Sequence, residues 1–153
     1  MRYQQIAISV AYRICGDPAT AEDVAQLTFI RIWEKLGTYR PDGSFRGWLC
    51  RIAANLTVDT LRKQKPTADI DDLALADPGQ GPERATVQQE RAAAVRAALM
   101  RLPTHTRAAL VLREYEGFSY HEIADALNVP LGTVKSRIND ARRRLQEDLR
   151  DLI

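Results

Sequence analysis

Apolar residues recur every three or four positions along most of the chain, which is the period of an amphipathic α-helix. No stretch alternates apolar and polar residues between turn signals, so no β-strand is predicted. In residues 66–84, prolines, glycines and acidic residues replace the helical period and predict a flexible linker. We therefore expect an all-α fold of two small helical domains, residues 1–65 and 85–153.

Three helices are predicted in the first half. One covers residues 6–14. The next follows Asp17, a capping carboxylate, has Pro18 at its first helical position and runs through Leu36. Ser44 caps the third helix. Its predicted core positions are Phe45, Trp48, Leu49, Ile52 and Leu56.

The second helix is apolar over most of its circumference, so one side should pack inside and the other should meet a partner. These apolar positions are Val24, Leu27, Phe29, Ile30, Ile32 and Trp33.

Four helices are predicted in the second half. Pro103 stops the first, the next begins at Thr104, and a capping box of Ser119 and Glu122 starts a short third helix. Pro130 fits the first position of the last helix. The predicted core positions are Val87, Val95, Ala98, Leu99 and Leu102, then Val134, Ile138, Ala141, Leu145 and Leu152.

A short capped helix, a turn and a second amphipathic helix form the pattern of a helix-turn-helix, whose second helix enters the DNA major groove. The residues able to reach phosphates or base edges are Thr133, Lys135, Ser136 and Arg137. The alternative is a helical hairpin with a basic surface. Residues 142–144 are three arginines that either contact phosphate or form a solvated face paired with Glu147 and Asp148.

The third helix carries a polar stripe of Arg51, Asn55, Asp59 and Arg62 beside its aromatic residues. Aromatic side chains on a basic face are typical of single-stranded DNA binding. Trp48 also stands at core spacing, so an ordinary core tryptophan is the competing interpretation.

Charge and composition add little evidence for catalysis. The formal net charge is +2, and residues 66–89, with five acidic and one basic side chain, separate two basic ends. Such ends either face polyanions or are solvated surface. Cys15 and Cys50 lack metal-ligand spacing, and His105 and His121 lack a patterned partner. We expect no catalytic site, metal or cofactor and, without an apolar run of roughly 20 residues, a cytoplasmic protein.

Two long segments resemble the extracytoplasmic-function (ECF) sigma factors of the sigma-70 superfamily, the small initiation subunits of bacterial RNA polymerase. Residues 12–63, beginning "YRICGDPATAEDVAQLTF", are similar to region two, and residues 102–145, containing "FSYHEIADALNVPLGTVKSRI", are similar to region four. Relatives have more helical sequence ahead of region two, so either the start lies upstream or the first helix is shortened.

The resemblance implies a promoter-specificity subunit that is not itself an enzyme. Its implied partners are core RNA polymerase, promoter DNA and an anti-sigma factor. The polymerase contacts are the clamp helices of the largest subunit and the flap region. The resemblance implies no binding to a membrane. It assigns polymerase binding to Asp23, Gln26, Ile30 and Trp33. It assigns the minus-ten element to Phe45, Trp48, Arg51, Asn55, Asp59 and Arg62. It assigns the minus-thirty-five element to Leu131, Gly132, Thr133, Lys135, Ser136, Arg137 and Arg142.

Two other functions fit the residues alone. One is a stand-alone helix-turn-helix regulator whose first half senses a ligand or dimerises. The other is an interaction protein that acts as an antagonist or decoy and holds an anti-sigma factor without binding polymerase.

Overall fold

The computed structural model describes residues 2–38, 43–64 and 86–150, and every regular element in these ranges is helical. The predicted linker 66–84 and Leu152 lie outside the described residues. The helices are α1 (Arg2–Cys15), α2 (Pro18–Glu34), α3 (Phe45–Gln64), α4 (Val87–Met100), α5 (Thr104–Glu114), α6 (Tyr120–Leu127) and α7 (Leu131–Asp148), with a 3₁₀ turn at Leu36–Thr38. The predicted all-α fold is confirmed for the part of the chain described.

Helix starts follow the capping chemistry of the sequence. The Asp17 carboxylate accepts the Thr20 hydroxyl at 2.6 Å and the Thr20 backbone N–H at 3.1 Å, and these bonds, the hydroxyl's first, lower the pKa of Asp17. The Ser44 hydroxyl oxygen accepts the Gly47 N–H at 2.9 Å. In the capping box, the Glu122 N–H donates to the Ser119 hydroxyl oxygen at 3.1 Å, and the Ser119 N–H donates to the Glu122 carboxylate at 2.9 Å.

Some boundaries and core assignments were wrong. α1 begins at Arg2, before the predicted residue 6, and α2 ends at Glu34. Pro130 has an extended ψ of 151° and is therefore the N-cap of α7, outside the helix. Val87, predicted to be in the core, is 66% exposed because it begins α4, whose buried residues are near its other end.

The first half is a three-helix bundle in which α1, α2 and α3 all contact one another. Ala7, Ala25, Ile32 and Leu49 form a buried cluster within it, against which Phe29, Phe45, Trp48 and Ile52 pack. The predicted core face of α3 therefore packs mainly inside its own half.

The two helical halves also pack against each other. α5 contacts α1 and α3 of the first half as well as α6 and α7 of its own half, and α3 contacts α6. One hydrophobic core runs through both halves: it includes Ile14, Ala53 and Val58 from the first, and Ala108, Leu112, Phe118, Ile123 and Val134 from the second.

A second buried face of α3 makes this packing possible. The sequence pattern did not predict it, because it consists largely of small or weakly apolar side chains. Its buried residues are Cys50, Ala53, Ala54, Thr57, Val58 and Leu61. Short side chains let helices approach closely, so α3 is covered on two sides.

Candidate functional site

A polar groove of about 330 Å³ lies along α3 where that helix passes the end of α2. We call it the α3 groove. It is lined by Arg31, Lys35, Thr38, Trp48, Arg51, Ile52, Asn55, Leu56 and Asp59. Four of the six residues assigned to the minus-ten element, Trp48, Arg51, Asn55 and Asp59, thus line one concave surface.

The lining of the α3 groove combines three cations, one carboxylate, an amide and an aromatic ring. Arg51 and Asn55 are exposed, whereas Trp48 is half-buried. The Trp48 ring packs edge-to-face on Phe45, with centroids 6.0 Å apart, and so has a braced orientation. Trp48 was interpreted either as a core residue or as an aromatic residue that contacts DNA. The side chain packs against the buried cluster of the first half and also lines the groove, so its position fits both interpretations.

The other two residues of that set lie apart from the groove. Phe45 packs between Trp48 and Tyr3, with its ring centroid 4.9 Å from that of Tyr3. Arg62 lies near the C-terminal end of α3, where its Nη2 atom is 3.5 Å from Nε2 of His105 in α5. Phe45 is thus placed to support the groove wall, and Arg62 contacts the second half.

Two cations of the α3 groove were missed by the sequence analysis. Arg31 and Lys35 come from the end of α2 and oppose the polar stripe of α3 across the groove. Their spacing of four residues indicates a shared helix face, but only the packing of α2 on α3 shows which residues that face approaches.

An exposed stripe of mixed polar and apolar residues runs along α2. Asp23, Gln26, Ile30 and Trp33 are all exposed, and Ile30 and Trp33 retain 55% and 77% of their accessible surface. Leu27 and Leu36 are exposed beside them. We call this surface the α2 stripe. Clustered exposed apolar side chains of this kind mark an interaction surface.

In the second half, α6, a short turn and α7 form the predicted helix-turn-helix. Asn128 adopts the left-handed conformation, with φ 55° and ψ 52°, and ends α6. Ile123, Ala126 and Leu127 of α6 are buried, as are Val134, Ile138 and Ala141 of α7. This buried spacing determines which side of α7 faces outward.

The outward side of the first α7 turns carries six of the seven predicted minus-thirty-five residues; the seventh, Arg142, lies further along the helix. Gly132, Lys135 and Ser136 are exposed, and Leu131, Thr133 and Arg137 are partly exposed. We call residues 131–137 the α7 edge. The N-cap residue Pro130 makes no side-chain capping bond, and negative ligands are favoured at such a helix start.

The arginines further along α7 are engaged in ion pairs. Arg142 donates to Glu114 at 2.7 Å, and this hydrogen bond raises the pKa of Arg142. Arg143 pairs with Asp140 at 2.6 Å and Glu147 at 3.4 Å, and Arg144 pairs with Asp140 at 3.0 Å.

The predicted pairing of the arginine run with Glu147 and Asp148 is half correct. Arg143 does contact Glu147, but Asp148 pairs with Arg101 of α4 at 3.3 Å. A solvated, internally neutralised face therefore describes Arg143 and Arg144 better than a free cationic patch.

Both cysteines lie in the hydrophobic core. Cys15 and Cys50 are buried free thiols, and burial raises the pKa of both, that of Cys50 to about 12. Across the described ranges, no three His, Cys, Asp or Glu side chains are grouped as metal ligands. Among the helices described, none combines the length and apolar character of a membrane span.

Comparison with known families matches both halves. The model of sigma-70 region 2 matches residues 1–67, and the model of sigma-70 region 4 matches residues 92–145. The chain is 37% identical to the RNA polymerase sigma-H factor of Pseudomonas aeruginosa, over 100% of this chain and 85% of that protein. It is 36% identical to the ECF RNA polymerase sigma factor SigW of Bacillus subtilis, over 98% of this chain and 86% of that protein.

Solved structures show the same fold. The Bartonella quintana sigma factor RpoE, crystallised with the anti-sigma factor NepR, superposes with a TM-score of 0.72 at 26% identity, covering 97% of this chain and 92% of that one. CnrH, in complex with the cytosolic domain of CnrY, gives a TM-score of 0.66 at 28% identity, covering 98% and 84%.

Proposed function

Because the chain belongs to the sigma-70 family, as an RNA polymerase sigma factor of the ECF type, we propose that its three described surfaces divide promoter recognition and polymerase binding between them. A sigma factor gives core polymerase its promoter specificity and is not a catalyst. The protein is therefore not an enzyme, and we propose that it acts in the cytoplasm, where polymerase and promoters are found.

The α3 groove is proposed to bind a separated strand of the minus-ten element. The observation that carries this proposal is the convergence of Trp48, Arg51 and Asn55 in one concave surface beside Arg31 and Lys35. Cations along a strand attract its phosphates, and an aromatic wall stacks on bases, which contributes about 1–3 kcal/mol per base. A duplex would not offer unstacked base faces to this wall.

The α7 edge is proposed to contact the minus-thirty-five element in the major groove. Lys135 and Arg137 are the cations of this surface, and Gly132 leaves open space in which backbone can approach phosphate. A well-placed arginine at a guanine contributes about 1–3 kcal/mol of discrimination.

The α2 stripe is proposed to bind core polymerase, with Ile30 and Trp33 at the centre of the contact. Large apolar side chains that remain exposed on a folded helix are the kind that contribute most to binding. The proposed polymerase contacts are the clamp helices for this stripe and the flap region for the second half. One structural neighbour is a sigma factor in complex with an anti-sigma factor, and we propose an anti-sigma partner here as well.

Reconstitution with core polymerase tests this assignment. The wild-type chain should co-purify with core polymerase and start transcription at specific promoters. Ile30→Ser should reduce both by about tenfold while leaving helicity unchanged, because the side chain is exposed. Val87→Ser, at an apolar position of the second half that is even more exposed, is the matched control and should have no effect.

The competing functions predict other results. Tight promoter binding without polymerase, and no transcription with it, would favour a stand-alone regulator. Capture of an anti-sigma factor without any core polymerase would favour an antagonist or decoy.

A further inference from the structure

Three aromatic rings in contact lead from α1 to the α3 groove. The Tyr3 ring, in the first turn of α1, meets the Phe45 ring edge to face, with centroids 4.9 Å apart and planes at 77°. Phe45 meets the Trp48 ring in the same way, with centroids 6.0 Å apart and planes at 73°. These are the separations and angles of favourable T-shaped aromatic pairs. We call Tyr3, Phe45 and Trp48 the aromatic ladder.

The members of the aromatic ladder differ in their surroundings. Phe45 and Trp48 are half-buried and pack against the buried cluster of the first half, and Trp48 also lines the α3 groove. Tyr3 is 43% exposed, lies outside that cluster and does not line the groove. The Tyr3 ring can therefore act on the groove through its contact with Phe45.

The position of Phe45 explains why a contact from α1 matters. Phe45 is the first residue of α3 and directly follows Ser44, so no earlier turn of its own helix lies beside it. It precedes Trp48 by three residues, the spacing at which side chains of one helix touch. Tyr3 adds an aromatic contact from outside α3. A ring that is already fixed when a base arrives loses less side-chain freedom on binding, so restraint of Trp48 favours stacking.

We propose that Tyr3 is a positioning residue for the minus-ten strand: through Phe45 it holds the Trp48 ring in the orientation that stacks on an unpaired base. This proposal deepens the proposed function of the α3 groove and rests on it for its biological meaning. Its structural content, restraint of Trp48 by Tyr3, can be measured in the free protein without DNA or polymerase.

Tryptophan fluorescence is the first test. The chain has two tryptophans, and Trp33 is 77% exposed, so Trp33→Phe leaves Trp48 as the single reporter. In that background, Tyr3→Leu removes the ring but keeps an apolar side chain. It should raise the acrylamide quenching constant of Trp48 about twofold and increase the fast motion seen in anisotropy decay. Tyr3→Phe keeps the ring and should match the parent.

Tyr115→Leu is the matched control for the fluorescence measurement. Tyr115 has a similar exposure, 45%, and its ring lies 4.2 Å from the guanidinium carbon of Arg13, outside the α3 groove. Its loss should leave the quenching of Trp48 unchanged. An equal rise in Tyr3→Leu and Tyr115→Leu would mean that any lost ring loosens the protein, and it would overturn the positioning role.

Transcription with core polymerase shows whether the restraint serves strand binding. Tyr3→Leu should lower transcription from a duplex promoter about threefold to fivefold, and Tyr3→Phe should transcribe like wild type. In a Trp48→Ala background, Tyr3→Leu should cause no further loss, because the ring that it positions is absent. Additive losses in the double variant, or equal losses in Tyr3→Phe and Tyr3→Leu, would contradict the proposal.

The two measurements separate failure of the positioning role from failure of the proposed function. Faster quenching in Tyr3→Leu, without promoter-dependent transcription from any variant or from wild type, supports the restraint and contradicts the proposed function. Unchanged quenching in a Tyr3→Leu variant of wild-type helicity overturns the positioning role whatever its transcription. Wild-type transcription in that same variant would leave the proposed function of the groove intact.

Discussion

The α3 groove and the α7 edge present similar polar side chains in opposite geometries. In the groove, Arg51 and Asn55 line a concave surface beside the braced ring of Trp48. On the α7 edge, Lys135 is exposed and Arg137 is partly exposed, with its Nη1 atom buried. The other side of this helix is packed on α6, and no aromatic residue lies within residues 131–137. The shape of each surface therefore indicates which form of DNA it suits. A groove lined by an aromatic ring suits unstacked bases, whereas a helix edge without aromatic residues suits the groove of a duplex.

The largest effect on transcription is expected from Trp48→Ala, which tests whether the α3 groove binds unstacked bases. Loss of a stacking surface should lower transcription from a duplex promoter by about 30-fold, a cost of about 2 kcal/mol. On a template whose minus-ten segment is already unpaired, the same variant should recover to within about threefold of wild type if stacking mainly stabilises strand separation. Initiation assays on the two templates provide the measurement.

Phe29→Ala is the control for lost packing in the same experiment. Phe29 packs against the same buried cluster as Trp48 but does not line the α3 groove. It should lower thermal stability and leave the ratio of activities on the two templates unchanged. An equal ratio in both variants would mean that Trp48 acts through stability alone.

Local chemistry explains why so much of the fold could be predicted from sequence. Asp17, Ser44 and Asn128 act within a few residues of their own positions, and each ends or starts a helix where the pattern indicated. The α2 stripe and the polar stripe of α3 followed in the same way from helical period. Their assignment to polymerase and DNA came from the family resemblance and stays a prediction.

The packing of the two halves depends on contacts that sequence period does not reveal. Ala53, Ala54 and Ala108 are fully buried where the halves meet, yet alanine carries little hydrophobic signal. Glu116 and Arg107 belong to residue types that usually lie at the surface. They are buried here against distant parts of the chain, since the Glu116 partner Cys50 is 66 positions away and the Arg107 partner Ile14 is 93 positions away. The second wall of the α3 groove was missed for the same reason, since Arg31 and Lys35 meet α3 only after α2 has packed.

A smaller effect is expected on duplex binding by the α7 edge. Lys135→Ala and Arg137→Ala should each weaken binding to a minus-thirty-five duplex by about tenfold, and each lost phosphate contact should lower the salt slope by about one unit. Titrations at several salt concentrations give both quantities. Binding of single-stranded minus-ten DNA should not change.

Arg91→Ala makes the same change of charge on α4, which contains none of the proposed DNA contacts, and serves as the control. It should preserve the salt slope. If Arg91→Ala lowered the slope as much as Lys135→Ala, the second half would bind DNA through diffuse charge and not through the α7 edge.

The smallest effect is expected further along the same helix, from Arg143→Ala. Arg143 is already paired with Asp140 at 2.6 Å and Glu147 at 3.4 Å, and the nearby carboxylates raise its pKa, with Asp140 the larger cause. Because its charge is satisfied within the helix, duplex affinity should fall by less than about twofold, with little change in salt slope. Asp140→Asn should have the opposite sign and raise affinity about twofold, since it releases Arg143 and Arg144 toward phosphate. A tenfold loss in Arg143→Ala would extend the duplex contact beyond Arg137 and make the whole outward side of α7 a reading surface.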